Sequence, residues 1–467
     1  MPGFFTKERI TAGPAFNRWL VPPAALAVHL CIGQVYAFSV FNAPLTRVIG
    51  IDQSLPEDWK LTTLGWTFSL AIVFLGLSAA FAGKWLEKVG PRTTMFAAAC
   101  CFGGGFLVAA LGVWTHQIWL LYLGYGILGG IGLGLGYVSP VSTLIKWFPD
   151  RRGLATGLAI FGFGGGAMVG APFSVALMDH FKSDISVGVA ETFVVMGLVY
   201  FMSMTIGALA IRIPAADWRP AGWTPPTTQN KMITQSHVHI DQALKTPQFW
   251  LLWLVLCLNV TAGIGVLGQA SVLSQEMFKD VITPMAAAGF VGLLSLFNMG
   301  GRLMWASASD YLGRKNTYVT FFAFGTILYA VVPYTGYIGS VALFVISYAI
   351  IMSMYGGGFS TIPAYLADIF GTKYVGGIHG RLLTAWSTAG VLGPVLVNYI
   401  REYQIEQGVA KADAYTVTMY IMAGLLVVGF ICNLLVRPVH PRHHMKDDEV
   451  LIGAESGKAP QAMAVVR

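Results

Sequence analysis

The stretch Leu294–Lys315, LSLFNMGGRLMWASASDYLGRK, sets a single arginine inside an apolar run and ends in a charged turn. Arg302 has apolar or small residues on both sides, and Asp310, Arg314 and Lys315 follow eight to thirteen residues later. At about 1.5 Å per helical residue, Arg302 would lie roughly 12 Å inside the water boundary, near the middle of a hydrocarbon core about 30 Å thick. A guanidinium at that depth keeps its proton and must face a polar cavity, a counter-ion or a ligand. Whether the chain supplies the counter-ion itself is decided by where its carboxylates fall.

Composition fixes the class around that stretch. Of 467 residues, 55% are hydrophobic and only 11% are charged, against about 25% charged in soluble domains. The mean hydropathy is +0.64. Apolar runs of about twenty residues, each enough to cross the core, recur twelve times between residues 19 and 436, the eighth over 283–306. Gly and Pro sit inside these runs and nothing alternates as a barrel strand would, so the runs read as membrane helices. The N-terminal MPGFFTKERITAGPAFNRW lacks the short apolar core and small-residue site of a removable signal. Cys31, Cys100, Cys101, Cys257 and Cys432 lie in apolar spans without metal spacing and are expected to be inert packing residues.

Twelve spans place both termini on one side. Arg47, Lys60, Lys182, Lys279, Arg401 and Lys411 fall on the segments of one face, and the other basic residues, Arg302 aside, fall on the opposite face with the termini. The termini are therefore expected in the cytoplasm of a plasma or bacterial inner membrane. The expected division is a cytoplasmic segment 1–18, a six-helix bundle 19–212, a cytosolic linker 213–246, a second bundle 247–436 and a tail 437–467. The linker is polar and contains Pro220, Pro225 and Pro226 with His237 and His239. Two histidines without Cys or carboxylate partners do not make a metal site, and His440, His443 and His444 beside Asp447, Asp448 and Glu449 read as a solvated tail. No cofactor or metal is expected. The net charge of +7 is scattered over one face, so the partners are the lipid bilayer and a small solute, not nucleic acid, and no oligomer is required.

An internal repeat organises the chain. Gly83-Lys-Trp-Leu-Glu87-Lys-Val-Gly90-Pro-Arg92 follows span 2 and Asp310-Tyr-Leu-Gly313-Arg314-Lys315 follows span 8, so Glu87, Gly90 and Arg92 match Asp310, Gly313 and Lys315 at an offset of 223. Phe148 to Gly157 resembles Phe370 to Gly380, and Gly170 and Gly393 keep the offset. Two pseudo-symmetric six-helix bundles in an all-α integral membrane protein are a carrier architecture, with the solute site near the midplane between them. The glycines permit tight turns, and the acidic residues can reach cations or helix N-termini on the same face. Gly83, Glu87, Gly90, Arg92, Asp310, Gly313, Arg314 and Lys315 are expected to act in gating.

None of the 22 Asp and Glu falls at midplane depth; Asp179, Asp310 and Asp368 come nearest, at span ends. Arg302 thus has no fixed partner, and an anion from solution is its natural complement. A carboxylate fits its planar fork. Asn298 is one turn away on the same face and could donate to a further oxygen or tie two helices together. Tyr137, nine residues before Lys146, is level with Arg302. Tyr348, Met352, Tyr355 and Phe359 form a helical stripe, and Gly356 to Gly358 leave Tyr355 room to approach a neighbouring helix. Gln34 lies mid-span, with Tyr36 and His29 on one face of span 1.

The acidic-x-x-Gly-x-basic turns resemble the loop signature of the major facilitator superfamily. Gly130-Ile-Gly-Leu-Gly-Leu-Gly-Tyr137-Val-Ser-Pro140 with Lys146-Trp-Phe-Pro-Asp-Arg-Arg-Gly153 is similar to the oxalate/formate antiporter family, a relation of the monocarboxylate transporters. The resemblance implies that Arg302 is the substrate arginine, that Asn298 is the amide one turn before it, and that Tyr137 and Tyr355 are wall tyrosines. It also implies a second cation in span 11 within Thr-Ala-Lys, where this chain has Thr384-Ala385-Trp386. Arg381 lies about 140° around the helix and is a poor substitute.

The expected function is secondary active transport of a small monocarboxylate of the lactate, pyruvate or formate class, with a proton relay at His29 because His alone titrates near neutrality. An oxalate/formate-type exchanger is the alternative, and a carboxylate-sensing receptor is the alternative from another class. A sensor would be expected to carry a folded signalling domain. No Gly-x-x-x-x-Gly-Lys-Ser/Thr run for ATP occurs, and no catalytic constellation marks an enzyme.

Overall fold

Backbone groups within lipid have no water to bond, so each apolar run must satisfy its own N–H and C=O groups as a helix. The computed structural model describes residues 6–13, 15–215, 218–223, 232–234, 236–267, 269–279 and 281–445. Its long helices are α1 (Arg18–Phe41), α2 (Thr63–Val89), α3 (Pro91–Trp114), α4 (Ile118–Trp147), α5 (Arg152–Phe181) and α6 (Val189–Ala210). A second set comprises α7 (Pro247–Leu267), α8 (Pro284–Leu312), α9 (Arg314–Tyr337), α10 (Val341–Phe370), α11 (Val375–Glu406) and α12 (Thr416–Leu435). Among the described residues, eleven of them are long and apolar enough to cross a membrane. The twelfth helix, α8, is 29 residues long and packs between α5 and α10.

The two sets repeat one packing plan. Helix α1 packs on α5, α2 on α4 and α3 on α6, while α7 packs on α11, α8 on α10 and α9 on α12. The sets meet through α5 against α8 and α2 against α11, pairs related by the same symmetry. Small residues let these helices approach: a Cβ on Gly83 would run into the backbone of Gly377, and one on Gly153 into the carbonyl of Ala306. Gly90 and Gly313 carry φ of +89° and +83° between consecutive helices, a left-handed turn that side chains other than glycine disfavour.

One face gathers the ends of the described chain. Ala12 N–H donates to the Ile213 carbonyl at 2.9 Å, Val238 N–H to Phe370 at 2.9 Å, and Met445 N–H to His237 at 2.8 Å. The N-terminal segment, the linker and the C-terminal segment therefore share what is called here the linker face. His239 accepts from Asp241 N–H at 3.3 Å, capping the short turn Ile240–Ala243. Pro225, Pro226, Asp447, Asp448 and Glu449 lie outside the described residues.

Candidate functional site

Helix α8 carries Arg302 to full burial between α5 and α10. Its Nε donates to Asn298 Oδ1 at 3.1 Å, as their spacing of one helical turn allows. Its Nη1 and Nη2 find no acceptor, and it joins no ion pair among the described residues. The guanidinium carbon lies 5.5 Å from the ring centres of Phe163 on α5 and Phe359 on α10. Each contact is within the range of a cation–π attraction worth about 1–2 kcal/mol when desolvated. The two rings hold the fork from either six-helix set and leave two parallel donors for an anion.

Trp386 on α11 completes this aromatic wall. Its ring centre is 5.4 Å from Phe163, 4.5 Å from Phe359, 5.4 Å from Tyr137 and 6.4 Å from Tyr36. The indole Nε1 is buried and without an acceptor among the described residues, as are the hydroxyls of Tyr36, Tyr137 and Tyr355. The Tyr36 hydroxyl stands close enough to Arg302 and to the Tyr355 hydroxyl to feel both. The site thus combines one fixed cation, several neutral donors and apolar ring faces. That combination suits a singly charged planar anion, whereas a second carboxylate would have no second cation to meet.

The structure brings Arg302, Asn298, Tyr36, Tyr137 and Tyr355 into one neighbourhood. Asn298 differs in detail, since its carbonyl oxygen orients Arg302. The glycine run of α10 does allow the close approach: a Cβ on Gly356 would strike Asn298, and one on Gly357 would strike Trp305. Gln34 is placed elsewhere. Its amide donates to Ser174 at 3.2 Å and its oxygen abuts Gly170, so it ties α1 to α5 within one set. Tyr348 likewise turns to Met419 on α12. His29 reaches the site indirectly, its Nε2 lying 3.2 Å from the Tyr137 carbonyl and its ring stacked on Tyr137 at 5.4 Å. Phe163 and His379 were not singled out by sequence reading.

The loop residues resolve into two kinds of contact. Asp310 accepts from the N–H groups of Gly153 and Leu154 at 2.8 and 3.0 Å, capping α5 across the two sets. Arg314 bonds Asp310 and Ser309 and reaches Asp368 at 3.1 Å, and Arg152 takes the other Asp368 oxygen at 2.8 Å. Glu87 stands at the equivalent place beside Gly376 at the start of α11 but caps no N–H there: it pairs with Lys146 at 3.2 Å, its Oε1 has no partner among the described residues, and Lys7 bonds its carbonyl. By contrast Arg92 donates to the Leu209 carbonyl at 2.9 Å, and Lys315 to Leu434 and Val436 at 2.7 and 2.8 Å. These two cations bond the C-terminal carbonyls of α6 and α12, each within its own set, where the helix dipole favours positive charge. Arg381 meets Asp241 at 3.1 Å on the linker face and does not supplement Arg302.

The profile of the Major Facilitator Superfamily matches residues 24–394. The oxalate:formate antiporter of Oxalobacter formigenes is 28% identical over 383 residues, covering 81% of this chain and 83% of that protein. Apicoplast pyruvate carrier 1 of Toxoplasma gondii is 22% identical over 528 residues, covering 93% and 92%. Among solved structures, the E. coli fucose:proton symporter superposes with a TM-score of 0.65 at 10% identity, covering 90% of this chain and 98% of that one.

Proposed function

The chain belongs to the major facilitator superfamily, and from that premise we propose that it is a secondary active transporter of a small monocarboxylate of the lactate, pyruvate or formate class. The observation that carries this reading is the buried Arg302 with two donors unmatched by any carboxylate of the described chain. The units 19–212 and 247–436 rock about the site in alternation, opening it to one face at a time. The linker face is the cytoplasmic one, in accord with its excess of Lys and Arg. Asp310, Glu87, Arg314 and their partners hold that face shut, Gly83, Gly90 and Gly313 allow the helix ends to close, and Arg92 and Lys315 anchor them. Trp386 where a second cation would stand favours one carboxylate over two.

Uptake is proton-linked, with His29 as relay. A second reading, obligatory carboxylate exchange, is favoured by the likeness to a protein described as an oxalate:formate antiporter. Uptake of radiolabelled lactate, pyruvate, formate and oxalate into proteoliposomes, with and without a pH gradient and with and without internal carboxylate, decides between them. Proton-linked transport requires accumulation driven by external acid alone and slowed in His29→Gln. Accumulation that needs internal carboxylate and ignores pH would establish exchange, and failure to move any carboxylate would sink both.

A further inference from the structure

The two sets meet at a contact in which the relay residue His29 gains a partner from the opposite set. His29 on α1 and His379 on α11 come from opposite sets and both pack on the ring of Tyr137, at 5.4 and 5.8 Å between ring centres. Both imidazoles are buried, at 0% and 1% exposure. His29 Nδ1 and His379 Nε2 have no hydrogen-bond partner among the described residues. The rings are near enough to act on one another electrostatically, and Arg302 acts on His29. His379 lies seven residues toward the linker face from Trp386, so the cluster sits between the aromatic wall and that face.

We infer that His29, Tyr137 and His379 form a proton-responsive gate between the substrate site and the linker face, closed while both histidines are neutral and opened when they are protonated. A proton on His29 would set a second cation within reach of Arg302 in a buried contact, and a proton on His379 would set another beside His29. Among the described residues neither ring joins an ion pair with a carboxylate. On the elements packed against α11, Glu87 pairs with Lys146 through one oxygen and keeps the other free, among the described residues, beside Gly376, Asp241 pairs with Lys84 and Arg381 and lies 3.7 Å from His239, and Asp368 pairs with Arg152 and Arg314. Beside the contact, Tyr36, Tyr137 and Tyr355 are phenols, which stay neutral over the range in which histidine titrates; Lys88 on α2 is exposed and Cys257 on α7 is a buried thiol. Rocking the sets apart carries His379 off Tyr137 and lets water reach both rings, so the open state accommodates the protons that the closed state repels. By linkage, acid shifts the population toward opening of the linker face.

This inference rests on the rocking reading, and its test adds no substrate, so an error in the substrate class does not obscure it. Spin labels at Lys88→Cys and Tyr311→Cys, exposed ends of α2 and α8 on the linker face, are introduced after replacing Cys31, Cys100, Cys101, Cys257 and Cys432. Pulsed EPR distances are recorded in nanodiscs from pH 8 to pH 5. The parent is expected to gain a longer-distance population at least fivefold on acidification, and the double variant H29Q/H379Q is expected to lose that gain. His379→Phe keeps a ring against Tyr137 and is expected to lose at least half of it, which covers the case that the double variant does not fold. An unresponsive parent, or an undiminished response in the variants, overturns the gate.

Discussion

Phe163 and Trp386 occupy equivalent positions in the two halves, related by the offset of 223 that governs the repeat, and their rings meet edge to face with centres 5.4 Å apart. The pseudo-symmetry axis therefore passes through an aromatic contact beside Arg302. One half contributes a phenylalanine that faces the guanidinium at 5.5 Å. The other contributes an indole whose N–H is unpartnered among the described residues. An asymmetric anion site is thus built from a symmetric frame, with Trp386 and Arg302 packed on the same two rings, Phe163 and Phe359.

Replacing Trp386 changes the charge beside those rings. Trp386→Lys is expected to admit a dicarboxylate, raising oxalate affinity at least tenfold relative to pyruvate, since the second carboxylate gains a cation. Trp386→Phe keeps the ring contacts without the donor and is expected to leave oxalate binding weak. Calorimetry on purified protein measures both; equal oxalate binding by the parent and the Lys variant would remove Trp386 as the determinant.

Arg302→Lys retains one positive charge and loses the fork, the Nε bond to Asn298 and the guanidinium stacking between Phe163 and Phe359. Uptake is expected to fall by two orders of magnitude or more, while the protein still inserts and elutes as a single species. Asn298→Ala leaves the fork but frees its orientation, so a smaller loss, about tenfold and mainly in KM, is expected. Parent-like uptake by Arg302→Lys would sink the bidentate model.

At the linker face, Asp368 takes Arg152 from the opposite set at 2.8 Å and Arg314 from its own at 3.1 Å, with its side chain only 7% exposed. Asp368→Asn leaves both guanidiniums short of charge. Breaking one partner of such a buried pair costs about 3 kcal/mol, and the share carried by the bond to Arg152, which alone crosses the sets, falls on the closed linker face. Labelling of Ser142→Cys, on the linker half of α4, by a maleimide applied from that face is expected to rise tenfold or more in the Asn variant. Unchanged labelling would show that closure depends on other contacts.

The sequence disclosed those features whose cause is local or periodic. Twelve apolar runs, the glycine turns at Gly90 and Gly313, and Arg302 without a carboxylate at its depth all follow from composition and spacing. Partners between the two sets were less legible, because helical spacing gives the face of a residue but not the neighbour that face meets. Gln34 seemed poised for substrate by depth, yet Ser174 and Gly170 engage it. Arg92 and Lys315 shared a motif with Asp310 and so shared its expected role, although long flexible cations reach the nearest helix C-terminus. His379 did leave a trace in the repeat: its equivalent is Thr156, whose hydroxyl donates to the Gly153 carbonyl of its own helix at 3.0 Å, so a histidine there departs from the symmetry where the frame alone would not require it.

Asp241 ties the linker to both sets, accepting from Lys84 on α2 at 2.8 Å and from Arg381 on α11 at 3.1 Å. The Lys84 hydrogen bond, with the attraction of Lys84 and Arg381, holds its carboxyl below the usual carboxylate range against the cost of partial burial. A depressed carboxyl contributes its stabilisation above its ordinary value near 4 and loses it only as pH falls through the lower folded value. Between pH 5 and 8 the Asp241 carboxylate itself stays charged, so its bonds to Lys84 and Arg381 persist. Asp241→Asn should therefore raise the open-state population of the linker face by the same small factor at pH 8 and pH 5, about two- to threefold for so exposed a pair. The histidine gate should respond to acid in that variant as in the parent. Spin-label distances across the face separate the two contributions, and an acid response abolished by Asp241→Asn would assign the pH sensitivity to the linker instead of to His29 and His379.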